Sequence, residues 1–154
     1  MPPGVYYVPP GAKAIKLADN IARPNGIQLS PDEKTLYVNN TWGEYLTAFD
    51  IKPDGTVMSG RNFAKYERTD KIQTGITSGA DGLAIDSEGR VYVASLTGVQ
   101  VFSPQGPRLG TIPVSRPPQN LAFAGADKKT LYIVGRGAAY KVQLLAQGVK
   151  ARAK

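Results

Sequence analysis

Two asparagines and one aspartate occupy matching places in three similar segments of the sequence. Asn25, Asp81 and Asn120 each precede a short, strand-like run of apolar residues. Carboxylate and amide oxygens gathered at one point suit a hard cation such as Ca²⁺. The same residues are also ordinary turn formers, because Asn-Gly and Asp-Gly pairs are common in turns. The spacing alone leaves a metal site and a set of plain turns both open.

The residue types that are absent narrow the possible chemistry. The 154 residues include no cysteine and no histidine. Thiol nucleophiles, disulfides, zinc sites of the usual ligand set and histidine-based triads are therefore excluded. Catalysis would have to use carboxylates, amides, hydroxyls, lysines or a hard metal ion.

The three segments belong to a repeated pattern that predicts hairpins. Each has a polar head, a short alternating strand, a polar turn and an apolar-Tyr-apolar strand. These returning strands are Leu36-Tyr37-Val38, Val91-Tyr92-Val93 and Leu131-Tyr132-Ile133. The alternation predicts that Ile27 and Leu29, and likewise Leu83 and Ile85, lie on a single buried face of their strands.

More β-prone runs follow each hairpin and complete the predicted unit. Third strands are expected at 45–51, 99–103 and 139–144, and fourth strands at 61–66 and 109–114. Four short antiparallel strands per repeat, with no convincing helix, are typical of a β-propeller blade. The sequence therefore predicts an all-β fold of about three and a half blades.

The blade count predicts a piece of a ring, because propellers close with about four to eight blades. Either the sequence is truncated, or two copies pair as a homodimer that completes a ring. We expect outer strands of a preceding blade at 1–20, blades at 21–66, 79–114 and 117–144, an inter-blade loop at 67–78 and a tail at 145–154.

The charge and the hydropathy of the chain indicate a solvated basic surface. The formal net charge is +7, but the lysines and arginines are scattered along the sequence. Scattered charge disfavours a nucleic-acid partner. No run approaches the ~20 apolar residues that span a bilayer, so no membrane partner is predicted. We expect the chain as given to be soluble and cytoplasmic, or periplasmic or secreted if a leader precedes it.

Several motifs, in order, resemble the gluconolactonase/regucalcin (senescence marker protein) family. Residues 23–27 with 30–38 are similar to its PNG and SPDGKTLYV stretches, and residues 80–94 are similar to its DG and D-x-x-G-x-[VL]-[YW]-V-A segment. Residues 98–102, 109–112, 120–123 and 130–133 follow in the family's order. The resemblance runs from about Val5 to Leu144.

The resemblance implies a six-bladed propeller that hydrolyses lactones or related esters with a divalent cation in its channel. The cation is usually Ca²⁺, with Zn²⁺, Mg²⁺ or Mn²⁺ as alternatives. Family members hold it with an early Glu, the Asn of the PNG segment and the Asp of the DG segment. Asn25 and Asp81 match the last two, and the early Glu has no counterpart in this sequence. Asn120 matches an amide position near the metal.

The roles of these residues follow as expectations. Asp81 is predicted as a metal ligand, as the catalytic base that activates water, or as both. Asn120 and Asn39 are predicted to bind a small-molecule lactone or ester, although Asn39 and Asn40 also suit a turn after the second strand. The alternative function is a non-catalytic propeller fragment that serves as a binding scaffold.

Overall fold

Antiparallel strands form all of the regular structure in the computed structural model, which describes residues 3–150. Within that range there is no helix, and hence no helix long and apolar enough to cross a membrane. The predicted all-β fold is confirmed. The first two strands, β1 (Val5–Tyr7) and β2 (Ile15–Ala18), pair with each other in a small sheet of their own.

The next four strands form a complete blade, called blade 1. Each strand pairs with the one that follows it, which is the up-and-down order of a propeller blade. The strands are β3 (Pro24–Leu29), β4 (Thr35–Asn40), β5 (Tyr45–Asp50) and β6 (Arg61–Lys65). β3 carries a register irregularity between Pro24 and Ile27, so Asn25 lies in a β-bulge at the inner edge of the blade.

The segment at 67–78, predicted as a loop, contains a short hairpin. Its strands are β7 (Asp70–Ile72) and β8 (Gly75–Thr77), which pair antiparallel. Gly75 begins the returning strand with a φ of 135°, a conformation that only glycine adopts readily, and this permits the tight turn. The bidentate contact of Arg68 with Asp70 lies at the open end of the hairpin.

Blade 2 repeats the order of blade 1. Its strands are β9 (Leu83–Ile85), β10 (Val91–Ser95), β11 (Gly98–Phe102) and β12 (Arg108–Ile112). Blade 3 consists of β13 (Asn120–Ala124), β14 (Thr130–Gly135) and β15 (Ala138–Gln143). The innermost strands β3, β9 and β13 contact one another in sequence, as in a section of a propeller ring.

Blade 3 has three strands in the described residues, and fourth strands were predicted only for the two preceding blades. The chain after Gln143 does not return along β15, because it crosses to the β9–β10 turn of blade 2. There, Ser87 donates its backbone N–H to the Gln147 carbonyl at 2.7 Å, and Asp86 and Gly148 form a β-bridge. Of the predicted tail at 145–154, residues 151–154 lie outside the described residues.

The core lies between the blades, and blade 2 is buried on both faces. Leu83 and Ile85 pack toward blade 1, in a cluster that includes Leu46. Ala84 and Tyr92 pack toward blade 3, where the Tyr92 ring meets Phe123 edge-on at 5.1 Å. Leu83 and Ile85 lie on a buried face as predicted, but the expectation that this is the single buried face of β9 is wrong, because neighbouring blades cover both faces of an interior blade.

The prediction that Ile27 is buried is also wrong, since its side chain is 49% exposed. The sheet of β1 and β2 covers this face of blade 1 only in part. A cavity of about 300 Å³ remains between the two sheets, lined by Ile27, Leu29, Tyr6 and Leu17 among others. A two-stranded sheet is too narrow to fill the space that a full blade would occupy.

Two buried tyrosines should make the fold sensitive to alkaline pH. Burial raises the pKa of Tyr66 and Tyr92 well above the ordinary value of 10, and the nearby Asp86 carboxylate raises the pKa of Tyr92 further. The unfolded chain then loses these protons above pH 10 while the folded chain keeps them. Stability should be fully present below pH 10 and fall above it by about 1.4 kcal/mol per pH unit for each tyrosine.

Urea unfolding between neutral pH and pH 11 would measure this slope. Tyr92→Phe should make the slope shallower by about 1.4 kcal/mol per pH unit. Tyr132→Phe, at a tyrosine that is 45% exposed, is the matched control and should leave the slope unchanged. Equal slopes in wild type and Tyr92→Phe would contradict the expectation.

Candidate active site

The heads of the three blades meet at one edge of the structure, which we call the mouth. The Gly26 N–H donates to the Asp81 carbonyl at 3.1 Å, and the Gly82 N–H donates to the Gln119 carbonyl at 2.8 Å. These two backbone hydrogen bonds tie β3 to the head of β9 and the head of β9 to that of β13. As a result, Asn25, Asp81 and Asn120 lie on adjoining segments.

Two glycines make this close approach possible. A Cβ on Gly26 would collide with the Asp81 carbonyl oxygen and lie 2.9 Å from the Gly82 Cα. A Cβ on Gly82 would collide with Asn120 Oδ1 and lie 2.9 Å from the Asn120 Cα. Neither glycine has a positive φ, so each is needed for the space it leaves rather than for a turn conformation. This decides against the reading of the Asn-Gly and Asp-Gly pairs as plain turns.

Asn25 is exposed at the mouth and is oriented by blade 1. Its Nδ2 donates to Thr41 Oγ1 at 3.1 Å, and the Thr41 hydroxyl in turn donates to the Ala80 carbonyl at 2.7 Å. Because the amide nitrogen is used in this way, Oδ1 is the atom of Asn25 with the chemistry of a metal ligand. Thr41 was not singled out from the sequence, although it follows the polar Asn39-Asn40 pair that was.

Asp81 is half-buried, and its backbone is held from three sides. Its N–H donates to the Ala94 carbonyl at 3.0 Å, and its carbonyl accepts from Gly26 N–H and from Asn39 Nδ2, the latter at 2.6 Å. A fixed backbone limits the positions that the carboxylate can take. The arrangement therefore pre-orients the acidic group at the mouth.

Asn39 is fully buried behind Asp81. Besides donating to the Asp81 carbonyl, it accepts a hydrogen bond from the buried Tyr66 hydroxyl at 2.9 Å. Substrate binding by Asn39 stays a prediction, and in this structure Asn39 reaches the mouth only through Asp81. Tyr66 was read from the sequence simply as the end of a strand. No sequence signal marks it, because its partner lies 27 residues away.

Asn120 is exposed at the start of β13. Its Oδ1 accepts the N–H of Leu121 at 2.9 Å, and Nδ2 is the donor group of the side chain. The neighbouring face of blade 3 carries Tyr132 and Val134, which line a shallow cavity of about 210 Å³ together with Asn120. The substrate-binding role of Asn120 also stays a prediction.

A small cavity of about 200 Å³ opens beside Asp81. Thr41, Thr77 and Ser95 line it, although their hydroxyls already donate to backbone carbonyls, and Arg136 lines it from blade 3. At ~30 Å³ per water, the volume corresponds to roughly seven water molecules or one small ligand. The cavity therefore brings an acidic residue and an arginine to one small space.

The donor set at the mouth fits a hard cation held by mixed ligands. Among residues 3–150, no three acidic, histidine or cysteine side chains lie close enough together to hold a metal. A metal at the mouth would thus depend on amide and carboxylate oxygens together, which Asn25 and Asp81 provide. Oxygen donors of this kind suit Ca²⁺, which completes its coordination with water.

Several known proteins are similar to this chain in amino-acid sequence. The chain is 31% identical over 139 residues to a gluconolactonase of Zymomonas mobilis, covering 84% of this chain and 37% of that protein. It is 38% identical over 114 residues to the lactonase drp35 of Staphylococcus saprophyticus, covering 71% of this chain and 33% of that protein. The chain therefore spans about a third of the length of these relatives.

Solved structures show the same fold. A gluconolactonase of Xanthomonas campestris superposes with a TM-score of 0.77 at 35% identity, covering 92% of this chain and 44% of that one. Regucalcin of Agrobacterium tumefaciens, a calcium-binding protein, superposes with a TM-score of 0.77 at 22% identity, covering 94% and 53%. Residues 1–136 match the family described as SMP-30/Gluconolactonase/LRE-like region. The chain belongs to this family.

Proposed function

We propose that this chain forms the metal-binding and substrate-binding edge of a hydrolase that opens lactones or related esters. The observation that carries the proposal is the pair of backbone hydrogen bonds at Gly26 and Gly82, which gather Asn25, Asp81 and Asn120 at the mouth. The gluconolactonase and lactonase relatives support lactones as the substrate class.

Asn25 and Asp81 are the residues that would hold a divalent cation. Their oxygen atoms favour Ca²⁺, with Mg²⁺, Mn²⁺ or Zn²⁺ as alternatives. When bound, the cation would supply Lewis-acid polarisation of the lactone carbonyl. The hydrogen bond from Asn25 Nδ2 to Thr41 supports this assignment, because it uses the amide nitrogen and so makes the amide oxygen the atom that would bind the metal.

We propose two alternative roles for Asp81, as a metal ligand or as a general base. As a base it takes a proton from water, whose oxygen bonds to the carbonyl carbon of the lactone. The ring C–O bond then breaks, and the departing oxygen takes up a proton to give the hydroxy acid. Asn39 supports either use by fixing the Asp81 carbonyl.

Asn120 is proposed to bind the substrate through Nδ2, which can donate to a ring or hydroxyl oxygen of the lactone.

We also propose that two copies of the chain pair to complete a ring. Tyr132 and Val134 on the outward face of blade 3 are 45% and 46% exposed, and Ile27 on the opposite side is 49% exposed. Apolar surface of this kind is what a neighbouring blade would cover.

Calcium titration by calorimetry, with the particle mass followed by light scattering, tests the proposed site. Asp81→Asn should weaken Ca²⁺ binding by about a hundredfold, because it removes the charged ligand. Hydrolysis of a sugar lactone, followed by acid release, should fall in parallel. A particle of twice the chain mass is expected if two copies complete the ring.

The matched control is Asp127→Asn. Asp127 is an exposed turn residue that accepts the Lys129 N–H at 3.0 Å, a contact that an asparagine oxygen can also make. This variant should bind Ca²⁺ as wild type does. Calcium binding that is equal in Asp81→Asn and Asp127→Asn would overturn the proposed site.

A further inference from the structure

The arginines of residues 3–150 fall into two groups. Four have a carboxylate partner, and they occupy a loop, a turn or the first position of an outer strand. These pairs are Arg61 with Asp50, Arg68 with Asp70, Arg90 with Asp86 and Arg108 with Glu67. The remaining three, Arg23, Arg116 and Arg136, form no ion pair with any carboxylate in the described part of the chain.

All three arginines without a carboxylate partner lie at the mouth. Arg136 lines the cavity that contains Asp81. Arg116 donates from Nη1 to the Arg136 carbonyl at 3.1 Å. Arg23 hydrogen bonds through its backbone to Asn40 and Thr41, and its guanidinium lies 4.8 Å from the centre of the Trp42 ring. Among the arginines of residues 3–150, those without a carboxylate partner are therefore all found around the candidate site.

The backbone of Arg136 is held in an uncommon conformation. Its φ is 52°, in the left-handed region that costs a residue with a Cβ about 1 kcal/mol or more. The conformation is held on both sides, because the Arg136 N–H donates to Gln119 Oε1 at 3.2 Å and its carbonyl accepts from Arg116. Glu33 and Lys128 adopt the same conformation in other hairpin turns, so this φ assigns no role by itself, and Arg136 differs from them by its place beside the cavity.

We propose that Arg136, assisted by Arg116 and Arg23, binds an anionic oxyacid group of the substrate. The inference rests on the proposed function and specifies its substrate class as lactones that carry a carboxylate or a phosphate away from the ring carbonyl. A guanidinium binds either group through two parallel hydrogen bonds. The guanidinium groups at the mouth would also attract such substrates from solution.

The test measures binding of ring-opened sugar acids by calorimetry without metal and without turnover. Glucarate, a dicarboxylate, is compared with gluconate, the monocarboxylate of the same chain length. The wild-type chain should bind glucarate about tenfold more tightly than gluconate. Gluconate 6-phosphate forms a further arm, and the tighter-binding of glucarate and gluconate 6-phosphate identifies the group as carboxylate or phosphate.

Arg136→Asn is the informative variant, because asparagine tolerates the left-handed conformation and removes only the charged fork. The matched control is Lys128→Asn, which removes the same charge at another left-handed residue, with a φ of 55°. Lys128 lies before β14 and Arg136 directly after it, so the strand separates them by about 20 Å. The preference over gluconate for ligands with a second anionic group should be lost in Arg136→Asn and kept in Lys128→Asn.

Two outcomes would overturn the proposal. One is equal affinity of the wild-type chain for gluconate and for the two ligands with a second anionic group, and the other is an equal preference in the two variants. Because the experiment contains no metal, either result leaves the calcium titration at Asp81 standing. Conversely, a failed calcium titration leaves the preference for a second anionic group intact, so the two proposals fail separately.

Discussion

Gly26→Ala is expected to lower the free energy of unfolding by about 3 kcal/mol and to abolish Ca²⁺ binding at the mouth. The new Cβ would collide with the Asp81 carbonyl oxygen and lie 2.9 Å from the Gly82 Cα, both of which are backbone atoms. Backbone atoms cannot swing aside as a flexible side chain can. Blades 1 and 2 would therefore have to separate where Asn25 and Asp81 meet.

Urea unfolding and calcium calorimetry on the same preparation would measure both effects. Gly110→Ala in β12 is the matched control, because a Cβ there meets no atom within 4 Å. That variant should be as stable as wild type, or slightly more stable through the reduced freedom of the unfolded chain. Equal stability of the Gly26 and Gly110 variants would show that the close approach at the mouth is not required.

Asp86→Ala is expected to lower the free energy of unfolding by about 3 kcal/mol, although Asp86 does not contact the mouth. The Asp86 carboxylate is fully buried and accepts the N–H groups of Glu88 and Arg90, both at 3.0 Å. It also accepts Arg90 Nε–H and the Tyr92 hydroxyl. Alanine would leave these donors without an acceptor, inside a turn that the C-terminal segment covers.

Unfolding in urea at neutral pH tests this expectation, with Asp86→Asn as an intermediate case. Asparagine keeps an oxygen for the two backbone N–H groups but loses the charge that faces Arg90. Asp127→Ala, at an exposed turn, should cost about 1 kcal/mol or less. If Asp86→Ala and Asp127→Ala were equally stable, the buried network would have no part in holding blade 2.

The repeat pattern was sufficient to predict the blades and the meeting of their heads, because the hairpin unit is encoded locally. The polar head before each inner strand located Asn25, Asp81 and Asn120 in advance. Local patterns could not predict Tyr66 behind Asn39, since that contact joins residues 27 positions apart, and β4 and β6 are not neighbours in the sheet. The same holds for Arg136, because its hydrogen bond to Gln119 joins segments 17 residues apart.

The wrong predictions have a common physical origin. Alternation along β9 suggested one covered face, yet Ala84 is as buried as Leu83. Burial of Ile27 was expected from the same alternation, and its side chain is largely exposed. Both outcomes depend on whether a neighbouring blade is present on each side. The residue pattern of a single strand does not predict which of its faces a neighbouring blade covers.

The two backbone hydrogen bonds at Gly26 and Gly82 also have a mechanical consequence. They join the blades at their inner strands, whereas the outer strands of blades 1 and 2 are linked by the contacts of Glu67, which follows β6, with Arg108 and Thr111 of β12. These side-chain contacts lie at the outer rim and contribute less than the backbone hydrogen bonds at the mouth. A rotation of blade 1 against blade 2 would therefore pivot about the mouth, where the spacing of Asn25 and Asp81 would change least.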